Sequence, residues 1–333
     1  LPDSVGTLLF NGYGPGLVDI AEDGTLFYFR SSFGGLSHPV FVYRGGVHEP
    51  LAEQWSGTFL IPRLSPDGTR LAAELQDAIG SHPVVRDLRT GATRQLEVPG
   101  TVNGREAWMP DGRGLTFVSD KDGSPRLYQW RLDSDVATAV RRYDPREIFA
   151  VEWSRDGKWL VMRTDDQAAG KADIVAVRPG IDTVAVPVVA SPELSEYAPA
   201  LSPDARWLAY VSNDGGRYEV RVTTFPSGRE KWQVSAAGGS EPVWSGDGRE
   251  LFYVADDGYM MVATVAPGAE FRILGQRRLF AVAPYVMYGI WNRNYDVTRD
   301  GRRFLMLRRA NDATSSIAVV QHWTASLTAI TGR

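Results

Sequence analysis

Short runs dominated by apolar, aromatic and branched residues succeed one another along the whole chain, each one introduced by a more polar tight-turn phrase. Leu26-Phe27-Tyr28-Phe29, Leu71-Ala72-Ala73-Glu74, Leu115-Thr116-Phe117-Val118, Leu160-Val161-Met162, Leu208-Ala209-Tyr210-Val211, Leu251-Phe252-Tyr253-Val254 and Phe304-Leu305-Met306-Leu307 are such runs. Each is short, rich in aromatic or branched side chains and bounded by turn residues, which predicts strands. Further strands follow in each unit, for example Pro39–Tyr43 and Tyr218–Val222, then Arg94–Val98 or Lys231–Val234. No stretch carries the helical period over an ordinary helix length.

The phrase before each run is Ser-Pro-Asp-Gly or a relative. Its aspartates stand at 23, 67, 111, 156, 204, 247 and 300, with intervals of 44, 44, 45, 48, 43 and 53. Proline presets the first corner of a β-turn, aspartate bonds the backbone that follows it, and glycine accepts positive φ. The aspartates are therefore read as turn residues rather than as a ring of ligands. A period near 44 matches a four-stranded propeller blade, which takes about 40–45 residues. Trp108, Trp153 and Trp244, with Ile20, Leu64, Leu201 and Val297 at matching places, are expected between blades.

The sequence thus predicts an all-β chain: one domain over 1–333, a seven-bladed β-propeller of four-stranded blades, with six blades as the alternative. The last unit is incomplete, and Gly6-Thr7-Leu8-Leu9-Phe10 is a spare N-terminal strand. The ring is expected to close by that strand completing the last blade, which protects the sheet edges.

Composition narrows the function. The 333 residues include no cysteine, which excludes disulfide scaffolds, thiolate metal sites and cysteine nucleophiles. With 36 basic and 40 acidic residues the net charge is −4, so phosphate neutralisation gives no basis for binding nucleic acid. No apolar run reaches the length of a membrane span. Leu1-Pro2-Asp3 lacks the basic start and apolar stretch of a secretory signal, so the chain reads as a mature or trimmed form. A Gly-x-Ser-x-Gly elbow is missing, and the four histidines, His38, His48, His82 and His322, share no metal-ligand spacing.

The Ser-Pro-Asp-Gly turns after a Pro-x-Trp strand resemble the TolB-type propeller repeat, a relative of WD-repeat propellers. A narrower resemblance lies in Trp207–Asn213, Tyr218-Glu219-Val220, Lys231–Ser235, Gly238–Pro242, Tyr295-Asp296-Val297 and His322–Ala325. Together these look like the extracytoplasmic sensor propeller of bacterial serine/threonine kinases. That resemblance implies a periplasmic or extracellular module that recognises a ligand or protein. The kinase part is not carried over, because neither its glycine-rich loop nor its His-Arg-Asp loop occurs here. Glu22-Asp23-Gly24 and Ala205 depart from the repeat pattern.

Two constellations carry the candidate chemistry. On the innermost strands stand Asp19, Arg63, Glu152 and Asp296, with Arg105, Glu241 and Asn294 further along. Asp19, Glu152 and Asp296 offer the oxygen ligands that Ca²⁺ takes, against the alternative of a solvated channel with internal ion pairs. The second constellation is Tyr285, Met287, Tyr288 and Trp291, in the connection between the last two motifs. Loops carry function and aromatics favour binding surfaces, against the alternative of a loop folded back over the core. Trp55 and Phe59 are candidates for the same rim. The resulting reading is a non-enzymatic binding module with no required cofactor and a protein, peptide or small molecule at a channel mouth. The alternative is a Ca²⁺-dependent hydrolase or lyase using the channel carboxylates.

Overall fold

The computed structural model describes residues 18–20, 25–30, 36–51, 55–77, 79–166, 170–287, 292–310 and 316–320. For 18–20, 26–30, 166 and 316–320 it describes the backbone alone. The chain divides into two units, 36–310, and 1–35 with 311–333. Among the described residues there is no helix.

Unit 36–310 consists of six four-stranded antiparallel sheets. The first runs through Thr58–Leu64, Arg70–Gln76, Ser81–Asp87 and Thr93–Gln95. Asn103–Trp108, Gly114–Ser119, Arg126–Arg131 and Ala137–Ala139 make the second. The third holds Glu147–Trp153, Leu160–Asp166, Lys171–Val177 and Val186–Val189. The fourth holds Glu196–Leu201, Trp207–Ser212, Glu219–Thr224 and Lys231–Gln233. Gly239–Trp244, Glu250–Ala255, Tyr259–Val265 and Ile273–Ala281 form the fifth. The sixth joins Asp296–Val297 and Arg303–Arg309 to Ser37–Tyr43 and His48–Pro50 from the start of the unit. Each innermost strand neighbours the next, and that of the sixth sheet neighbours that of the first, so the ring is closed.

The fold is a β-propeller of six blades rather than seven. The strand Pro39–Tyr43, expected beside the first motif, lies instead against the last one, with Val42 opposite Phe304 and Val40 opposite Met306. The run after the first motif, Leu26–Arg30, pairs with Val18–Ile20 and Ser316–Val320 in a three-stranded sheet of the other unit. Closure therefore comes from two outer strands added to two inner ones. Spacing counts turns, but antiparallel partners are chosen by burial. Val40 and Val42 are fully enclosed with Phe304 and Met306. Gly6–Phe10 lies outside the described residues.

Five of the six described turn motifs share one set of side-chain bonds. In the first blade the Ser65 Oγ donates to Asp67 Oδ1 at 2.5 Å and accepts from Arg70 N at 2.9 Å, while Thr69 N donates to Asp67 Oδ1 at 3.0 Å. The same bonds recur at Ser154 with Asp156, Ser202 with Asp204, Ser245 with Asp247 and Thr298 with Asp300. Ala205 holds φ = 52° where other turns have glycine.

Six apolar clusters fill the six blade interfaces. The tryptophans sit at these seams and bridge them. Trp108 Nε1 donates to Arg63 O at 3.1 Å, Trp153 Nε1 to Thr116 Oγ1 at 2.9 Å and Trp244 Nε1 to Ala200 O at 3.0 Å. Burying such a side chain contributes about 1.5–3 kcal/mol, and a satisfied indole N–H avoids the cost of an orphan donor.

Candidate functional site

The innermost strands do not alternate regularly. In blades one, two, four and five the ladder slips by one residue between Leu60 and Arg63, Gly104 and Ala107, Tyr197 and Ala200, and Ser240 and Val243. Each slip contains a non-glycine residue at positive φ: Ile61 at 51°, Arg105 at 58°, Ala198 at 46° and Glu241 at 56°. These are β-bulges with a left-handed residue, which re-aim neighbouring side chains at a cost of about 1–2 kcal/mol each. In the third blade the slip falls at Phe149.

The bulge residues Ile61, Arg105 and Ala198 border a small cavity of about 30 Å³, lined also by Arg63, Glu106, Ala150, Val151, Glu152, Pro199, Asn292 and Arg293. Arg105 and Glu106 both face it, although consecutive residues of a regular strand face opposite ways. Glu106 is 1% exposed, and neither of its oxygens nor Arg105 Nη1 has a hydrogen-bond partner among the described residues. Burial, reinforced by the charge of Glu74, holds the Glu106 carboxyl well above the usual carboxylate range. Burial also raises Glu74, opposed by Arg105. Burial and repulsion from Arg293 push Arg63 down to about 9, which leaves it cationic at neutral pH.

The remaining channel groups bind neighbouring blades together. Asp296 Oδ2 accepts from Leu64 N at 2.8 Å, and Glu152 Oε1 accepts from Leu201 N at 3.1 Å. Arg63 Nη1 donates to Arg293 O at 2.9 Å. Glu241 accepts from Asn294 N at 2.6 Å and Asn294 Nδ2 at 2.9 Å, and its carbonyl accepts from Tyr295 Oη at 2.8 Å. Burial pushes Glu241 up to about 7 against those Asn294 bonds, and raises Glu152 despite the charge of Arg293.

On the face that carries the Ser-Pro-Asp-Gly turns, the channel opens into a funnel of about 870 Å³. Its wall includes Leu64, Pro66, Trp153, Leu201, Pro203, Val243, Trp244 and Val297, with Arg155, Arg299, Asp67 and Asp300 among its charged residues. Glu152 and Arg293 line both funnel and cavity, so they form the floor between them. Arg293 Nη1 stands 3.7 Å from Glu152 Oε2.

The structure brings Arg63, Arg105 and Glu152 to one cavity and pairs Glu241 with Asn294. Tyr285 and Met287 lie elsewhere: Tyr285 is 3% exposed, in the cluster between blades five and six, and Met287 packs against that cluster. Phe59 is buried between blades six and one, with Trp55 at 4.5 Å between ring centroids. Tyr288 and Trp291 lie outside the described residues, and so does the side chain of Asp19. As a Ca²⁺ set, Glu152 and Asp296 already accept backbone N–H bonds and have guanidinium neighbours. Among the described residues no three His, Cys, Asp or Glu side chains cluster with metal-site geometry. Sequence reasoning passed over Glu106 and Arg293. Glu106 is five residues before its turn aspartate, on the face that strict alternation turns away from the channel, and only the bulge brings it in.

Residues 36–310 thus form a closed propeller with a funnel over a charged channel. The TolB beta propeller domain family matches residues 48–246, more than half of the sequence, and the chain belongs to that family. An uncharacterized protein of Agrobacterium fabrum is 25% identical over 203 residues, covering 57% of this chain and 68% of that one. The solved structure of a putative TolB from Agrobacterium tumefaciens aligns with a TM-score of 0.62 at 18% identity, covering 84% of this chain and 99% of the other. TolB from Acinetobacter baumannii aligns at 0.56 with 16% identity, covering 87% and 68% respectively. These structures share the fold.

Proposed function

We propose that the chain is a non-enzymatic recognition module that holds a peptide segment of a partner protein, or a small ligand, in the funnel. The carrying observation is the funnel itself. Its volume of about 870 Å³ lies in the range of sites that enclose ligands, about 300–1,000 Å³. Turn prolines and the edges of Trp153 and Trp244 supply apolar contact, and charged groups on the floor supply orientation. Of the channel acids, Glu152, Glu241 and Asp296 are engaged in hydrogen bonds that tie the ring together, a use that supports a rigid receptor. Tyr288 and Trp291 are retained, on the sequence alone, as partner contacts. Membership of the TolB propeller family supports a location in the periplasm or outside the cell.

The test is capture of pooled synthetic octapeptides on the immobilised protein, read by mass spectrometry. The comparison is a variant with Pro66→Trp and Pro203→Trp, which narrows the funnel at two turn positions on its wall. Selective capture that the narrowed variant loses supports the reading; equal capture by both proteins removes the funnel as the site.

A further inference from the structure

We propose that the funnel selects its ligand through a carboxylate, the C-terminal carboxylate or an acidic side chain of a peptide, bound by Arg293 at the floor and by Arg155 and Arg299 at the mouth. This rests on the funnel being the recognition site argued above.

The acids around the funnel are engaged already. Asp296 accepts Leu64 N through Oδ2 and its own following amide, Val297 N, through Oδ1 at 2.9 Å. Glu152 accepts Leu201 N. Asp67 and Asp300 close their turns, and Glu49 accepts Tyr43 Oη at 2.9 Å. The arginines are not used up in the same way. Arg293 meets Glu152 only at 3.7 Å, beyond hydrogen-bond distance. Arg155 spends one N–H on Gly246 O at 3.1 Å. The guanidinium of Arg299 makes no hydrogen bond or ion pair among the described residues, while its carbonyl accepts from Gly246 N at 3.1 Å. Arg155 and Arg299 are thereby tied to the same turn residue.

The floor adds to this. Behind Arg293 lie Arg63, which is buried, and Arg105, which is half-buried and whose Nη1 has no hydrogen-bond partner among the described residues. Beside them, burial and the charge of Glu74 raise the pKa of Glu106. Three guanidinium groups, those of Arg63, Arg105 and Arg293, therefore converge on the floor of the funnel. A guanidinium fork matches a carboxylate in plane and spacing. The apolar wall of Leu64, Leu201, Val243 and Val297 suits the side chains next to that carboxylate, which favours a peptide over a bare inorganic anion.

The test uses two pools of octapeptides built from Ala, Phe, Leu, Pro, Val and Trp, one with free C-terminal carboxylates and one amidated, plus inorganic phosphate. Binding is read by the fluorescence of the full-length protein and by capture. The free-acid pool is expected to bind about 10- to 100-fold more tightly than the amidated one, with the difference shrinking as salt is raised. Arg293→Gln should abolish the difference. Should that variant fail to fold, Arg155→Gln with Arg299→Gln, at exposed positions, should reduce it several-fold. Equal binding of both pools overturns the carboxylate inference while leaving the funnel reading in place. Binding of phosphate with neither pool bound overturns it in favour of an inorganic or phosphorylated ligand. No binding of any probe overturns both readings.

Discussion

Replacing Glu241 by Gln tests how the ring carries a buried acid. Glu241 is 1% exposed, at a left-handed bulge in the fifth blade. Burial raises its pKa from 4.5 to about 7, while the two Asn294 bonds oppose the rise. An acid raised on folding holds its proton better in the native chain than in the unfolded one. Its contribution is thus most favourable at low pH and declines as pH rises from 4.5 toward about 7. Across that interval the decline is about 3 kcal/mol. The Gln variant has no proton to lose at this position. Its stability relative to the natural protein should climb by about 3 kcal/mol between about pH 4.5 and about pH 8. Urea unfolding followed by tryptophan fluorescence at several pH values measures the difference. Any fixed cost of placing an amide against Asn294 is the same at each pH and drops out, as do other buried acids such as Glu106 and Glu196 that both proteins share. A difference that stays flat with pH would refute the assignment of a buried, proton-holding carboxyl at Glu241.

Ser245→Ala removes an Oγ that donates to Asp247 at 2.7 Å and accepts from Glu250 N at 3.0 Å. It should lower stability by about 1–3 kcal/mol, seen as an earlier urea midpoint; an unmoved midpoint would discount the turn bonds. Ala205→Gly relieves a left-handed alanine at φ = 52° and should raise stability by about 1 kcal/mol, and a lower midpoint would count against strain there. Tyr288→Ala with Trp291→Ala should cut peptide capture while leaving thermal melting unchanged. Undiminished capture would remove these two aromatics as contact residues.

The site was legible in part. Arg63, Arg105 and Glu152 were picked out as inner-strand residues and do line one cavity. Alternation was the guide, and it holds only as far as the bulge. Past Arg105 at φ = 58° the period of two breaks, so Glu106 enters the cavity unannounced. Arg293 sits in a connection, where periodicity carries no information. Tyr285 reads as a loop aromatic in sequence, yet its segment returns to the sixth blade, where Val286 N donates to Leu307 O at 2.8 Å. That backbone contact buries the ring.

The sequence by itself determined the all-β class, the repeat near 44 residues, the turn role of the aspartates and the placement of tryptophans at blade seams. All of these are local: a turn of Ser, Pro, Asp and Gly specifies its own hydrogen bonds, and a short run of branched and aromatic residues bounded by turns specifies a strand. Only the tertiary structure decided that six repeats form the ring and that Ser37–Tyr43 belongs with Arg303–Arg309. Strand partners across some 260 residues of chain are chosen by which pairing encloses the most apolar surface, and no local pattern encodes that choice. The funnel, the charged floor and the raised pKa of Glu106 follow from the same closure, because burial exists only once the ring is complete.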